Sequence, residues 1–378
     1  MRLELERRGV PGWGREAVGI AAAVAAALVV AIVLFALLGV PPIEALRVYF
    51  LEPLTDPWSL HELAVKATPL ILIAVGLTVC FRSGNWNIGA EGQFVVGAIA
   101  AASVPVLVPD ATGPWVLPAM AALGLLGGGA WAFVPGVLKA RLGTNEILTS
   151  LMLVYVAGLL LDWLVRGPWR NPEGFNFPET RAFGADAMLP EIISVGEFGG
   201  RANWGLVIAI VAAVATGILI ARTLRGFEVT ISGESPRAAR FAGFDPARTT
   251  VFAFVFSGAL AGLAGMIEVS GAIGQLRPSI SPGYGFTAII VAFLARLNPI
   301  GAIAAGLLLA LTYIGGEGAQ MTLGLSERFA RVFQGVLLFS LLATDTLMRY
   351  RLRVRRTPKS TATATVAMPR PGRTVTPA

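Results

Sequence analysis

The chain has 378 residues, 55% hydrophobic and only 14% charged. Soluble domains carry about 25% charged residues, so an ordinary water-soluble enzyme is excluded, and the net charge of +7 gathers at the ends of apolar runs instead of forming the basic groove of a nucleic-acid binder. One cysteine, Cys80, and one histidine, His61, give no basis for an internal disulfide, a Cys/His nucleophile or a metal site, and His61 is expected in a solvated loop.

The apolar runs order the chain. A basic segment, 1–16, precedes an uncharged run over 17–40 that is long for the core of a cleaved signal peptide and reads as a signal anchor. Nine further runs follow, at 64–81, 93–109, 115–138, 147–165, 203–221, 249–275, 284–296, 299–315 and 330–348. A crossing helix needs about 20 apolar residues, which makes 284–296 the weakest. The predicted fold is all-α: a lipid-embedded polytopic domain over 17–348 with about ten transmembrane helices.

Charge sets the orientation. Segment 222–248 holds five arginines against three acids, whereas 41–66 holds two basic residues against four acids and 166–202 four against five. The positive-inside rule places 222–248 and both termini in the cytoplasm of a multi-pass protein of the cell (inner) membrane. The tail, 349–378, is basic, poor in large apolar residues and expected to be disordered. Loop 166–202 is too long for a simple connection; it docks an external partner or caps the pore.

Four polar groups interrupt the apolar runs. In "FRSGNWNIGAEGQF" (81–94), Asn85, Asn87, Glu91 and Gln93 stand among Gly84, Gly89 and Gly92. Either this is a cytoplasmic turn or a broken, re-entrant segment near 83–92 lining a cavity, the one place where irregular backbone survives at membrane depth. Asn145, Glu146 and Thr149 open the fifth run, as a helix start or as pathway groups. Glu268 lies deep in the seventh run or at its outer interface. Tyr284 and Phe286 in "SPGYGF" are candidates for stacking on a planar solute or for interfacial anchoring. The spacings Gly258-x-x-x-Gly262 with Gly265, and Gly127-Gly128-Gly129, read as sites of close helix packing.

Within the longest cytoplasmic loop, Ser235 reads as an N-cap, Pro236 as the first helical residue and Gly243 as the stop. The helix between is barely two turns and needs a partner surface. The stretch "GESPRAARFAGFDPARTTVFAFVFSGALAGLAG" (233–265) resembles the cytoplasmic loop of permease subunits of ATP-binding-cassette importers. "GNWNIGAEGQF" (84–94), "GTNEILTSLMLVY" (143–155) and "EVSGAIGQLRPSISPGYGFTAIIVAFLARLNPIG" (268–301) are similar to the branch serving ribose, branched-chain amino acids and nucleosides, and most like the nucleoside, basic-membrane-lipoprotein-dependent permeases. One departure is Ala295, where that family customarily has glycine.

The resemblance implies that Glu234, Ser235, Pro236, Arg237, Ala238, Ala239, Arg240, Phe241 and Gly243 form the element that couples to a separate ATPase. It further implies a second permease, self or paralogue, and an extracytoplasmic substrate-binding lipoprotein. No G-x-x-x-x-G-K-[ST] phosphate loop occurs in the chain. ATP and Mg are therefore expected on the partner ATPase, with no catalytic residue and no cofactor on this chain. The cargo implied is a nucleoside, with sugars or branched-chain amino acids as alternatives. An ion-coupled secondary transporter would have to rely on Glu268, Asp162 and Glu91.

Overall fold

The computed structural model describes residues 2–7, 13–192, 202–326 and 328–355. Fourteen α-helices run in chain order among the described residues. They are α1 (Trp13–Leu37), α2 (Pro42–Leu46), α3 (Glu52–Thr55), α4 (Pro57–Arg82), α5 (Ala90–Leu107), α6 (Val116–Leu142) and α7 (Glu146–Arg166), then α8 (Gly205–Arg222), α9 (Leu224–Glu234), α10 (Pro236–Phe241), α11 (Pro246–Glu268), α12 (Tyr284–Leu294), α13 (Gly301–Leu323) and α14 (Arg328–Arg349). Single π-helical turns at Arg47–Leu51 and Val269–Ile273 link α2 to α3 and extend α11.

Among the described residues, seven helices are long and apolar enough to cross a bilayer: α4 to α8, α11 with its π turn, and α13. All ten apolar runs expected from the sequence appear as helices, seven of them of this length. The other three appear as shorter apolar stretches, Ala21–Leu37 in α1, Tyr284–Leu294, and Arg331–Ser340 in α14. At 1.5 Å per residue the 11 residues of α12 rise about 16 Å, half a hydrocarbon core. His61 also departs from expectation, since it lies inside α4 and not in a loop.

Small residues decide the packing of α5, α6 and α11. A Cβ on Gly262 would overlap the Gly124 carbonyl and lie 2.9 Å from the Gly128 Cα; one on Gly258 would overlap the Gly128 carbonyl. Gly97 of α5 meets Gly262 in the same way, and Gly265 meets the Phe94 carbonyl. Side chains are absent where these backbones touch, the arrangement by which helices associate where water provides no drive. Around this center α4 is buried at every position from Ala67 to Phe81 and at Leu63 and Val65, so it is a core helix screened from lipid by its neighbours.

Segment 167–192 folds back as a cap. Thr180 N–H donates to Leu276 O (3.1 Å), Phe183 N–H to Gly274 O (2.8 Å) and Leu189 N–H to Ser270 O (2.8 Å), while Asp186 accepts from Gly113 N–H. The tip carries Phe175, 94% exposed, and residues 193–201 lie outside the described residues. The first residues of the tail are not structureless: β2 (Tyr350–Arg355) pairs antiparallel with β1 (Arg2–Arg7), Leu5 opposite Leu352. Residues 356–378 lie outside the described residues.

Candidate functional site

The break after α4 answers whether 83–92 is a surface turn. Residues 83–89 are non-helical between α4 and α5, with Gly84 at φ +75°. Asn85 accepts from the Thr250 hydroxyl (3.2 Å) near the start of α11. Two residues on, Asn87 donates to Ser257 Oγ (3.1 Å), 11 residues into α11 and about 16 Å along its axis. The segment therefore descends to the middle of the helix bundle before α5 begins, with its backbone enclosed by protein, as irregular backbone at that depth requires.

The amides in the break hold it together. Asn87 and Gln93 form a reciprocal pair, Asn87 Nδ2 to Gln93 Oε1 (2.9 Å) and Gln93 Nε2 to Asn87 Oδ1 (3.0 Å), and Gly89 N–H also donates to Asn87. Asn85 donates to Ser83 Oγ (2.7 Å). All three side chains are at most 4% exposed. Of the four polar residues singled out in this stretch, Glu91 lines the cavity where α12 begins.

That cavity, about 670 Å³, lies where α12 begins. Gly283, at φ +103°, starts the half-helix, and Gly285 N–H donates to Glu91 Oε2 (2.6 Å). Glu91 occupies the first turn of α5 and also faces the first turn of α12, so two helix N-termini favour its carboxylate. Ser281 stands beside it in the cavity wall, its hydroxyl accepting from Gly283 and Tyr284 N–H. Opposite stand Thr287, whose hydroxyl is 2.8 Å from Tyr313 OH, and Gln334, which accepts from Thr287 and donates to Thr312 Oγ1 (3.0 Å). Phe286, 42% exposed, with Ile289 and Ile290 supplies an apolar wall.

Tyr284 points away from the cavity. It is 1% exposed, its ring lies edge-on to Phe94 and Tyr313, and it is within electrostatic reach of Glu268. Glu268 is buried at the end of α11, within electrostatic reach of Lys66, which is itself bonded to Glu317 (3.0 Å). A smaller cavity, about 280 Å³, lined by Glu52, Asp56, Glu62 and Glu317, opens beside that pair.

Asn145, Glu146 and Thr149 are not brought to the large cavity. Asn145 is the N-cap of α7, accepting from Ile147 and Leu148 N–H, and Thr149 bonds back to the Asn145 carbonyl. Glu146 pairs with Lys139 and accepts from Trp86 N–H, fastening α6 and α7 to the break. Asp162 forms an exposed pair with Arg166 (2.7 Å), which leaves Glu91 and Glu268 as the buried carboxylates among those three.

In the loop between α8 and α11 the predicted cap geometry is present. Ser235 Oγ accepts from Ala238 N–H (3.4 Å), Pro236 opens α10, and Gly243 follows it at φ +85°. Glu234, Arg237, Ala238 and Arg240 are exposed, Phe241 is 97% exposed, and Ala239 is buried. Sequence reasoning missed α9, although Thr223 caps it by accepting from Gly226 N–H. It also missed Thr287, Tyr313 and Gln334, polar side chains inside apolar runs whose cost at membrane depth is itself a signal.

Comparison with known proteins follows from this geometry. Residues 59–342 match the family described as branched-chain amino acid transport system, permease component. The chain is 36% identical over 361 residues to the glucose ABC transporter permease protein TsgB13 of Haloferax volcanii, covering 93% of this chain and 94% of that one. It is 30% identical to the nucleoside ABC transporter permease protein NupB of Lactococcus lactis subsp. cremoris, covering 80% and 84%. To the guanosine ABC transporter permease protein NupP of Bacillus subtilis it is 28% identical, covering 72% and 78%.

Proposed function

Because the chain belongs to the permease-component family of branched-chain amino acid transport systems, within the ABC-importer superfamily, we propose that it carries a neutral, hydroxyl-rich solute, a nucleoside, through the cavity at the start of α12. The observation that carries this reading is the chemistry of that cavity. Hydroxyl and amide groups of Thr287, Tyr313 and Gln334 face an apolar wall bearing Phe286. Such a wall suits a planar base, while the polar side exchanges hydrogen bonds with a ribose. A hexose is the second reading, favoured by the 36% identity to a glucose permease over nearly the whole chain; its hydroxyls meet the same polar wall.

Transport needs no bond chemistry from the permease. It needs two conformations with different affinity for the solute, driven here by an ATPase subunit that engages α10 from the cytoplasm. A second permease completes the membrane part, and an extracytoplasmic binding lipoprotein delivers the solute to the outer face. In this arrangement both termini and loop 223–245 are cytoplasmic in the inner membrane.

Proteoliposomes holding the chain with its genomic neighbours, ATPase, second permease and lipoprotein, test the reading. ATP-dependent uptake of labelled guanosine, competed by adenosine and not by glucose, supports the nucleoside assignment. Uptake of glucose with no nucleoside competition replaces it with the hexose reading, and uptake driven by an ion gradient without ATP removes both.

A further inference from the structure

Resting on the transport reading above, we propose that α12 is a lever that joins the cytoplasmic loop to the cavity, and that Arg82 and Phe293 are the positioning residues that hold its cytoplasmic end. Three contacts lead to this. First, α9 presses on the break: a Cβ on Gly233 would fall on the Arg82 carbonyl and lie 3.0 Å from Gly84 N, so α9 and the end of α4 touch backbone to backbone and cannot slide independently. Second, Arg82 Nε donates to Leu297 O (2.7 Å) in the turn after α12. In that turn Arg296 and Leu297 both hold left-handed φ, +52° and +56°, a conformation that L side chains keep only when their surroundings fix it. Third, the Phe293 ring stacks on Phe81 (5.2 Å, 19°) and on Trp86 (5.9 Å, 26°).

The far end of the same half-helix carries Gly285 N–H to Glu91 at the cavity. With only 11 residues and regular hydrogen bonding, α12 is too short to absorb a displacement by bending. A shift of α9 is therefore carried by Arg82 and the aromatic stack to the C-terminal end of α12, and appears at the cavity as a change in the Glu91–Gly285 contact and in the position of Phe286.

The test places a cysteine at Phe286 in the complete ATPase-bearing assembly. The native Cys80 is fully buried and gives little background. A water-soluble maleimide reports labelling of Phe286→Cys with and without trapped ATP. The parent assembly should show an ATP-dependent change in rate. Arg82→Ala and Phe293→Ala should reduce that change about tenfold, while the partner still binds and hydrolyses ATP; Arg82→Lys and Phe293→Trp should recover much of it.

Leu297→Gly provides a second arm, because glycine accepts positive φ without strain, which offsets part of the packing lost with the half-buried Leu297 side chain. It should still fold and still weaken the ATP-dependent change. An undiminished ATP-dependent change in Arg82→Ala, Phe293→Ala and Leu297→Gly overturns the lever. A parent assembly that hydrolyses ATP with no change at Phe286→Cys also overturns it, whereas uptake independent of ATP sinks the transport reading itself.

Discussion

At the scale of single residues, the polar groups in the apolar bundle divide into those that hold backbone and those that face space. Asn87 and Gln93 pair their amides reciprocally, with Ser257 and Gly89 taking the remaining valences of Asn87. Removing one partner leaves a buried amide unpaired, which costs about 1–3 kcal/mol, whereas removing both leaves no orphan within the pair. Asn87→Ala should therefore lower the thermal midpoint of the purified protein more than Asn87→Leu combined with Gln93→Leu. A double variant as unstable as the sum of its singles would show that the pair is not a closed unit.

Composition identified these residues because amides at membrane depth are conspicuous. It could not tell a closed pair from an open ligand, since both need the same residue types. Glu91 was singled out for the same reason, yet its surroundings, the N-terminus of α12 and Ser281, come from 190 residues further along the chain. No local pattern carries that information. Tyr284 and Phe286 show the opposite limit: two positions apart at the start of one helix, one faces the core and the other the cavity.

At the scale of elements, the glycine spacings were legible because close approach demands small side chains at a fixed period. Gly262 lies against α5 and α6 at once. Gly262→Val should abolish accumulation of folded protein in membranes, while Gly129→Ala, whose added Cβ would find its nearest neighbour at 3.5 Å, should be neutral or stabilising by about 0.5–1 kcal/mol from helix propensity. Equal expression of both variants would remove backbone contact as the organising feature. The ends of α10 were legible for a similar reason, since Ser235, Pro236 and Gly243 are strong local punctuation. α9 was not, because its buried face of Gly226, Val229 and Ser232 has too few large apolar residues to show a helical stripe.

The exposed face of α10 carries its own prediction. Arg237 and Arg240 are exposed beside Phe241, and neither anchors α10 to the membrane part, so their replacement leaves the fold intact. Arg237→Glu with Arg240→Glu should abolish co-purification of the ATPase subunit and ATP-driven uptake, while insertion and thermal stability remain. Co-purification at the parental level would move the docking surface elsewhere.

For the whole molecule, the number of crossings is constrained by the termini. β1 and β2 pair in register, and α1 and α14 pack together through Phe35 and Phe329, rings stacked at 4.6 Å. The described segments 2–7 and 350–355 therefore lie on one face of the membrane, which requires an even number of crossings between them. The seven long helices alone would put the ends on opposite faces. An odd number of the three shorter apolar helices must cross as well, and α1 and α14, packed against each other, contribute none or two. That leaves α12, whose half-length is completed by the loop descending from α11 to Gly283. An even total agrees with the ten crossings read from the apolar runs, with one crossing built from a loop and a half-helix in place of a full span.

Exposed positions on either side of α12 make this measurable. Phe175, Phe241 and Met321 are 94%, 97% and 87% exposed, and Cys80 is buried. Single cysteines at the three positions, probed with a membrane-impermeant maleimide on intact cells and on inverted vesicles, should label Phe175→Cys and Met321→Cys from outside and Phe241→Cys from inside. Two crossings, α11 and α13, separate Phe241 from Met321 without α12, and three with it. Labelling of Met321→Cys from the same face as Phe241→Cys would mean that α12 turns back without crossing, and the paired termini would then have to be rejected with it.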